Sequence, residues 1–358
     1  MIELFCDLET YSPVPITSGT HAYAEQAEVM LFAYAFGDGP AKVWDRTAEP
    51  DMPFDLEMGL ADPEVMTVWH NGAMFDAIVL LHDMGEIVPI ERMHDTLVQA
   101  LSHSLPGSLD SLCTILKIEG EDAKDKGGKN YINLFCKPDK HGKRNTRDSH
   151  PDEWEGFKRY AGKDITSMRQ VRRKLPMWNY QGRERALWHL DQKINRRGMC
   201  IDMDLARSAV AAVAKAQKQL AARTVELTNG EVSSATRRDA MLKHILESYG
   251  VDLPDMTKAT LERRINDAEL PWALRELLAI RLQAATSSTS KYNTLLKGVS
   301  SDGRLRGTKQ FNGAARTGRW AGRLFQPDNL PRPTLPQEDI DLGIEALKLD
   351  AADILYSN

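Results

Sequence analysis

Two carboxylates stand close together near the start of the chain, in the stretch MIELFCDLETYSP. Asp7 and Glu9 follow the apolar run Ile2–Cys6. Because side chains two residues apart on a strand point to the same face, both carboxylates would project side by side from the end of a buried strand. Adjacent anions repel each other, so the pair indicates either a strand running out into a polar loop or a site for a divalent cation.

Further polar groups occur at spacings that could bring them to the same place. In HNGAMFDAIVL, Asn71 and Asp76 lie at the start and in the first turns of a predicted helix. In RYAGKDITSM, Tyr160 and Asp164 are four residues apart and would share one helix face. Taken one at a time, these residues are as well explained by a helix cap and a surface pair.

The elements that must position these groups are predicted from the hydrophobic pattern. Residues 1–120 are typical of an α/β domain, with short apolar runs at 2–6, 30–36, 41–44 and 65–69 and helical stretches at 73–84 and 96–103. Three closely spaced runs and a later one predict an antiparallel meander with one crossing strand, compatible with a ribonuclease-H-like sheet. Residues 121–150 predict an exposed insertion, much of it a flexible or disordered loop.

The remainder of the chain has a helical pattern. A helix is predicted from Pro151, with acids in its first turn and basic residues at its end. After Pro176 the chain is almost wholly helical, including one long helix from Trp272. The alternation in Asp302–Phe311 predicts a β-hairpin, and residues 333–358 predict an acidic amphipathic helix.

Composition limits the classes of function. Of 358 residues, 42% are hydrophobic and 27% charged, and no apolar run approaches the roughly 20 residues that span a bilayer. Four scattered cysteines form no C-x-x-C pair, which favours a reducing compartment, and we expect a cytoplasmic protein. The net charge is −5, yet residues 124–147 hold eight Lys/Arg and residues 303–332 hold seven. These local basic segments therefore matter more than the net charge.

The ordered set D-x-E, N-x4-D and Y-x3-D resembles the three exonuclease motifs of the DEDD superfamily, in its tyrosine-bearing branch. The resemblance implies a 3′–5′ exonuclease with two Mg²⁺ or Mn²⁺ ions, which oxygen ligands select over zinc. It implies that Asp7 bridges both ions, that Glu9 and Asp164 hold the one that activates water, and that Asp76 is the outer ligand of the second. Tyr160 would orient the water as a neutral phenol.

The same resemblance implies contacts to substrate. Asn71 would contact the terminal nucleotide, while Leu8 and Phe75 would wedge against the last bases. SLDSLCTIL would open onto the substrate groove. The apolar residues Leu8, Phe75 and Leu112 fit the hydrophobic core equally well.

The second half of the chain resembles family A DNA polymerases, most closely those of bacteriophages and prophages. ERALWHLDQKINRRGMCID looks like the segment after their proofreading domain. T-G-R at Thr317–Arg319 and Asn329-Leu330-Pro331 match the start of their palm. The DNA-contact residues implied are Ser290, Lys291, Arg316, Thr317, Arg319 and Asn329. Asp328 departs from the amide common in relatives, and an anion there would weaken DNA binding.

The resemblance implies a ribonuclease-H-like exonuclease domain followed by a mainly helical thumb with a short β-hairpin. The predicted division is 1–178 exonuclease, with the insertion at about 121–150, then 179–300 thumb, 301–332 start of the palm and 333–358 acidic tail. The function implied is the proofreading exonuclease of a DNA-directed DNA polymerase, acting on single-stranded 3′ ends and primer-template duplex in a bacterial host cell.

Two alternatives stay open, an RNA exonuclease of the same superfamily and a non-catalytic DNA-binding subunit. No palm aspartate or fingers helix follows Arg332, so we expect this chain alone to shorten primers without extending them. It would then be part of a longer polymerase or one half of a split enzyme. The missing polymerase half or a processivity factor would be its partner.

Overall fold

A mixed five-stranded sheet organises the N-terminal part of the computed structural model, which describes residues 2–118, 128–284, 290–330 and 332–352. Its strands are, in chain order, β1 (Ile2–Tyr11), β2 (Glu28–Phe36), β3 (Lys42–Asp45), β4 (Val65–Trp69) and β5 (Met93–Asp95). They lie in the order β3-β2-β1-β4-β5, with β1, β2 and β3 antiparallel and β4 and β5 parallel to β1. The predicted meander with a later crossing strand is confirmed.

Helices cover both faces of this sheet. They are α1 (Thr20–Ala24), α2 (Phe54–Ala61), α3 (Asp76–Met84), α4 (Thr96–Leu101), α5 (Leu109–Ile115), α6 (Gly128–Phe135), α7 (Pro151–Lys174) and α8 (Gly182–Arg197). Side chains alternate along β1, so Leu4, Cys6 and Leu8 pack in one core with α3. Phe5 and Tyr11 pack in the other core with α7. The predicted helix from Pro151 is confirmed, including its acidic start and basic end.

The chain forms two compact units. The first unit comprises Met1–Ile201 and Lys297–Asn329, and the second unit comprises Asp202–Leu296 and Leu330–Asn358. The remaining helices are α9 (Met203–Leu227), α10 (Arg238–Tyr249), α11 (Lys258–Ile265), α12 (Trp272–Ala284), α13 (Ser290–Gly298) and α14 (Gln337–Lys348). The predicted functional boundaries after residues 178, 300 and 332 stay predictions, since compact units group residues by contact and not by function.

Most of the second unit is helical, as predicted. A core of its own contains Leu274, Leu277 and Leu278 of α12. The single long helix predicted from Trp272 includes residues 285–289, which lie outside the described residues. None of the helices described is long and apolar enough to cross a lipid bilayer.

The short strands after α13 correct the predicted hairpin at 302–311. Strand β6 (Met199–Cys200) pairs with β7 (Arg304–Leu305), and the hairpin itself is formed by β8 (Lys309–Ala314) and β9 (Arg319–Gly322). The alternating pattern does not continue as one strand because Gly307 adopts a positive φ of 66° between β7 and β8. The turn of the hairpin falls instead at Thr317 and Gly318.

The basic insertion also differs from the prediction. Residues 121–127 lie outside the described residues, but Gly128–Phe135 form helix α6 and not a loop. The ring of Phe135 contacts Trp154 and Phe157 of α7, with centroids 4.9 and 5.4 Å away. Burial of this aromatic side chain stabilises a helix that the Lys, Gly and Asn content of the segment did not predict.

A buried polar group fastens the β8–β9 hairpin to α8 in the first unit. The Asp191 carboxylate is 3% exposed and accepts hydrogen bonds from the indole N–H of Trp320 at 2.7 Å, from Gln192 at 3.0 Å and from Asn195 at 3.1 Å. The Asn195 amide also donates to the backbone carbonyl of Lys309 and accepts a hydrogen bond from the backbone N–H of Lys309. The hairpin is therefore held by satisfied buried hydrogen bonds as well as by apolar packing.

We expect Asp191→Ala to lower the unfolding midpoint, because it removes the acceptor of three hydrogen bonds, two of them donated by the buried side chains of Gln192 and Asn195, a loss on the order of 3 kcal/mol. Asp191→Asn keeps one acceptor oxygen and should lose less. Calorimetry of both variants beside Asp204→Ala, whose side chain is 86% exposed, provides the measurement. Equal midpoints for Asp191→Ala and the Asp204 control would contradict this role.

Candidate active site

Strand β1 extends beyond the end of its parallel neighbour β4, and the acids Asp7 and Glu9 lie in this extension. β2 pairs with β1 as far as Tyr11, whereas β4 pairs only with Ile2–Phe5. Asp7 and Glu9 therefore lie inside the strand, at the point where β4 has stopped, and not at the end of β1 as predicted. The sequence pattern marked the end of the apolar run, but the antiparallel partner keeps the backbone extended through both acids.

Helix α7 brings two more groups to the same face of β1. Tyr160 and Asp164 lie one turn apart on its buried face and are 2% and 6% exposed. Asp7, Glu9 and Asp164 each offer a carboxylate oxygen, and these three atoms lie within 4.8 Å of one another. The structure thus brings together three of the predicted acids with the predicted tyrosine.

Tyr160 is held as a neutral phenol beside this cluster. Burial is the main cause that raises its pKa well above the usual value, followed by the negative charges of Asp164 and Glu9 and a hydrogen bond to Asp164. Its ring stacks on Phe157 with centroids 6.3 Å apart, and a Cβ at Gly128 would overlap the ring. The start of α6 therefore closes over the tyrosine, a contact that the sequence did not indicate.

Asp76 approaches the same stretch of β1 from the opposite face of the sheet. It is the first residue of α3, where the helix dipole favours a carboxylate, and it accepts the backbone N–H of Leu8 at 3.2 Å. That N–H is free to donate because β4 ends at Phe5 in the pairing with β1. Burial, with a smaller contribution from the charge of Asp95, raises the pKa of Asp76 to about 7.

Sequence reasoning missed Asp95, the last residue of β5. Its carboxylate caps α4 by accepting the N–H groups of Leu97 and Val98, and it also accepts those of Asn71 at 3.0 Å and Ala73 at 3.4 Å. Burial raises its pKa to about 6 despite these four donors. An acid directly before a predicted helix is an N-cap signal and could have identified it.

The predicted substrate residues occupy different environments. Asn71 adopts a left-handed φ of 72°, its side chain does not cap the following turn, and it lines a groove on the first unit. Phe75 is partly buried and packs 5.6 Å from the ring of Tyr23. Leu8 and Leu112 are buried in the two cores of the sheet, 6% and 0% exposed, which fits the core alternative, and the contact of Leu8 with substrate stays a prediction.

A cysteine that the sequence did not single out also lies at the cluster. The Cys136 thiol, at the end of the insertion's helix, is 3.9 Å from a carboxylate oxygen of Glu9. Its backbone carbonyl accepts the N–H of Ser12, just after β1. The insertion is therefore attached to the strand that carries the acids, and no motif spacing signals this long-range contact.

The predicted DNA-contact residues are mostly solvent-exposed. Arg316, Thr317 and Arg319 lie in or next to the turn of the β8–β9 hairpin. The Asn329 amide donates to Gln326 at 3.0 Å. Lys291 lies on α13, whereas the side chain of Ser290 is outside what the structure describes. Asp328 forms an ion pair with Lys309, so its negative charge is compensated locally.

The cluster of Asp7, Glu9 and Asp164 fits a divalent metal by its donor chemistry. All three donors are carboxylate oxygens, which Mg²⁺ and Mn²⁺ prefer. Three carboxylates at this separation, two of them buried, repel one another unless a cation or protons neutralise them. Asp76 offers a fourth carboxylate to the same segment of β1.

No protein-family model matches the chain. The chain is 34% identical over 368 residues to the DNA polymerase of Bacillus phage SP02, and the alignment covers 99% of this chain and 55% of the phage protein. The chain thus spans about half the length of that relative.

A solved polymerase structure shows a related fold. The POL domain of Pol1 from M. smegmatis, in complex with DNA primer-template and dNTP, matches 93% of this chain and 53% of its own, with a TM-score of 0.57 and 15% identity. Brucella melitensis NrnC matches 53% of this chain with a TM-score of 0.38 and 16% identity. The predicted resemblance to a phage-type DNA polymerase is confirmed: along nearly its whole length, the chain is a relative of about half of the DNA polymerase of Bacillus phage SP02.

Proposed function

We propose that this chain is a metal-dependent 3′–5′ exonuclease that removes nucleotides from DNA 3′ ends for a family A polymerase. The observation that carries the proposal is the convergence of Asp7, Glu9 and Asp164 within 4.8 Å, with Tyr160 hydrogen-bonded to Asp164. The strand order is compatible with a ribonuclease-H-like sheet, and the relationship to a phage DNA polymerase supports the same class of substrate.

The four carboxylates would hold the cations. In this proposal Asp7 would be shared by both ions, Glu9 and Asp164 would complete one site, and Asp76 would belong to the other. When bound, two Mg²⁺ or Mn²⁺ ions supply Lewis acidity and neutralise negative charge at the scissile phosphate. Burial raises the pKa of Asp76, and a nearby cation would favour its charged form.

The reaction is hydrolysis of the terminal phosphodiester. The oxygen of water bonds to phosphorus as the bond from phosphorus to the 3′ oxygen breaks, which releases a nucleoside 5′-monophosphate and leaves a new 3′ hydroxyl. Tyr160 donates a hydrogen bond to Asp164, so its oxygen can accept one from the attacking water and orient it. Because its pKa is raised, Tyr160 serves as a positioning group and not as a base.

The turn at Asn71 positions the terminal nucleotide in this proposal. Asp95 holds the turn by accepting the N–H groups of Asn71 and Ala73. This leaves the Asn71 side chain available at the groove, and Phe75 offers a partly buried ring beside it. Both side chains would contact sugar and base surfaces that all nucleotides share. An enzyme that removes any terminal nucleotide requires such contacts.

The wider role follows from the phage relative. We propose that the exonuclease proofreads for a polymerase of that type, with the exposed Arg316 and Arg319 contacting primer-template DNA. Their contacts would be to phosphate and therefore independent of sequence and sensitive to salt.

Metal binding can be measured without turnover. Mn²⁺ should raise the unfolding midpoint of the wild type and not that of Asp7→Ala/Glu9→Ala, because a ligand stabilises only the state that binds it. Without metal, the double variant should be as stable as the wild type or more so, since two crowded anions are gone. Asp152→Ala/Glu153→Ala, at exposed acids in the first turn of α7, is the control and should keep the Mn²⁺ response. A normal response in the Asp7/Glu9 variant would contradict the metal assignment.

Nuclease activity tests the proposal directly. With Mg²⁺, 5′-labelled single-stranded DNA should shorten stepwise from its 3′ end, and RNA of the same sequence should shorten more slowly. Asp7→Ala/Glu9→Ala should lower the rate by at least about a thousandfold, because several kcal/mol of metal-dependent stabilisation is lost. Faster shortening of RNA would favour an RNA exonuclease instead, and near-normal activity of the double variant would exclude this site.

The proposed role of Tyr160 predicts that its substitution lowers kcat and leaves KM nearly unchanged. Tyr160→Phe removes only the hydroxyl that positions water, so kcat should fall roughly a hundredfold while KM for DNA stays nearly constant. Tyr131→Phe is a matched control, since its ring lies 6.5 Å from that of Tyr160 and packs on the same helix. If Tyr160→Phe raises KM and leaves kcat intact, the tyrosine is a substrate contact.

A further inference from the structure

A groove next to Asn71 is lined by the β8–β9 hairpin and the residues that follow it. The groove belongs to the first unit and has a volume of about 320 Å³. The hairpin side contributes Gln310, Arg323 and Leu324, and the opposite side includes Asn71 and Met74. A cavity of this size accommodates a nucleotide-sized group and has no room for a base-paired duplex.

The hairpin side of the groove is firmly attached to the sheet domain. The Asp191 and Asn195 hydrogen bonds hold β8 and β9 on α8, and the Asn312 amide donates to Ser102 of the turn after α4 at 3.0 Å. The Phe311 side chain is 4% exposed in the same core as α3. This side of the groove is therefore a fixed surface beside the turn that carries Asn71.

The two sides approach each other closely. A Cβ added at Gly19 would lie 2.8 Å from a methyl group of Leu324, and one added at Gly307 would lie 3.8 Å from the Met74 methyl. Leu324 and Gln326 both adopt positive φ values, 53° and 51°, which non-glycine residues rarely do. Backbone strain of this kind persists where surrounding contacts impose it and is frequent at ligand sites.

The charge of Arg323 is not neutralised within the described residues. Its side chain is exposed, donates to the neutral Gln310 amide and to the carbonyl of Gly322, and forms no ion pair with a described carboxylate. By contrast, Lys309 of the same hairpin is paired with Asp328. A guanidinium with spare donors suits a phosphodiester, whose oxygens accept from its planar fork.

We propose that this groove binds the single strand just upstream of the terminal nucleotide, with Arg323 contacting a phosphodiester and Gln310 supporting the guanidinium. This inference rests on the proposed exonuclease function, since Asn71 marks where the terminal nucleotide is expected. It makes Arg323 a substrate-binding residue of the exonuclease site, contributed by a segment whose sequence resembles the start of a polymerase palm.

Equilibrium binding tests the groove independently of catalysis. A fluorescent oligothymidylate should bind Arg323→Ala about tenfold more weakly than the wild type in EDTA, as expected for loss of one charged contact worth about 1.4 kcal/mol. The slope of log affinity against log salt should fall by about 0.7 for a single strand. Arg323→Lys should lie between the two, and Arg183→Ala, at an exposed arginine on α8 outside the groove, should match the wild type.

Two hydrolysis substrates separate this subsite from the catalytic centre. With Mg²⁺, Arg323→Ala should raise KM for oligothymidylate about tenfold at constant kcat. Hydrolysis of 4-nitrophenyl thymidine 5′-phosphate, which has no upstream nucleotide, should be unchanged. Unaltered oligonucleotide binding, or equal loss on both substrates, would overturn the inference. Wild-type binding that depends on Arg323 without any hydrolysis would support the groove and refute the proposed exonuclease.

Discussion

The site depends on one constraint, the length of β1 relative to its two neighbours. β2 keeps β1 extended as far as Tyr11, while β4 stops pairing at Phe5. The unpaired side of the strand admits Asp76 to the Leu8 N–H, and the alternation along the strand turns Asp7 and Glu9 towards α7. Two faces of one sheet can therefore deliver carboxylates to a single short segment. Such crowding is unfavourable without cations, which is why the arrangement indicates metal chemistry.

Local patterns in the sequence were sufficient to predict much of the sheet and of the acidic cluster. Spacing placed Asp7 with Glu9 and Tyr160 with Asp164, because strand and helix periods fix which side chains share a face. The antiparallel meander of β1, β2 and β3 followed from the short connections between their apolar runs, whereas β5 was not predicted. What local patterns could not supply were contacts between distant segments, such as Gly128 over the Tyr160 ring, Cys136 beside Glu9, and Asp95 at the Asn71 turn. The hairpin was misplaced because Gly307 interrupts an alternating run.

The basic β8–β9 hairpin resembles a polymerase segment in sequence but packs on the domain that carries the carboxylates. Its T-G-R motif indicated a polymerase segment, yet the chain returns after α13 and packs β8 and β9 against the domain that carries the carboxylates. A side chain such as Arg323 can then lie next to the Asn71 turn although more than two hundred residues separate them in sequence. Residue conformation contributes as well, since positive φ values at Leu324 and Gln326 fix the course of the segment. The sequence resemblance identified this segment as polymerase-like, and tertiary contacts determine that it lies beside the Asn71 turn.

We propose that the carboxylates of β1, α3 and α7 hold two divalent cations. Anomalous diffraction from crystals soaked in Mn²⁺ measures this most directly, because it locates each ion without relying on activity. The account predicts two peaks roughly 3.5–4 Å apart, both contacting Asp7, with one also bound by Glu9 and Asp164 and the other by Asp76. Saturating Mn²⁺ without a peak at Asp7, or with peaks only elsewhere on the chain, would contradict it.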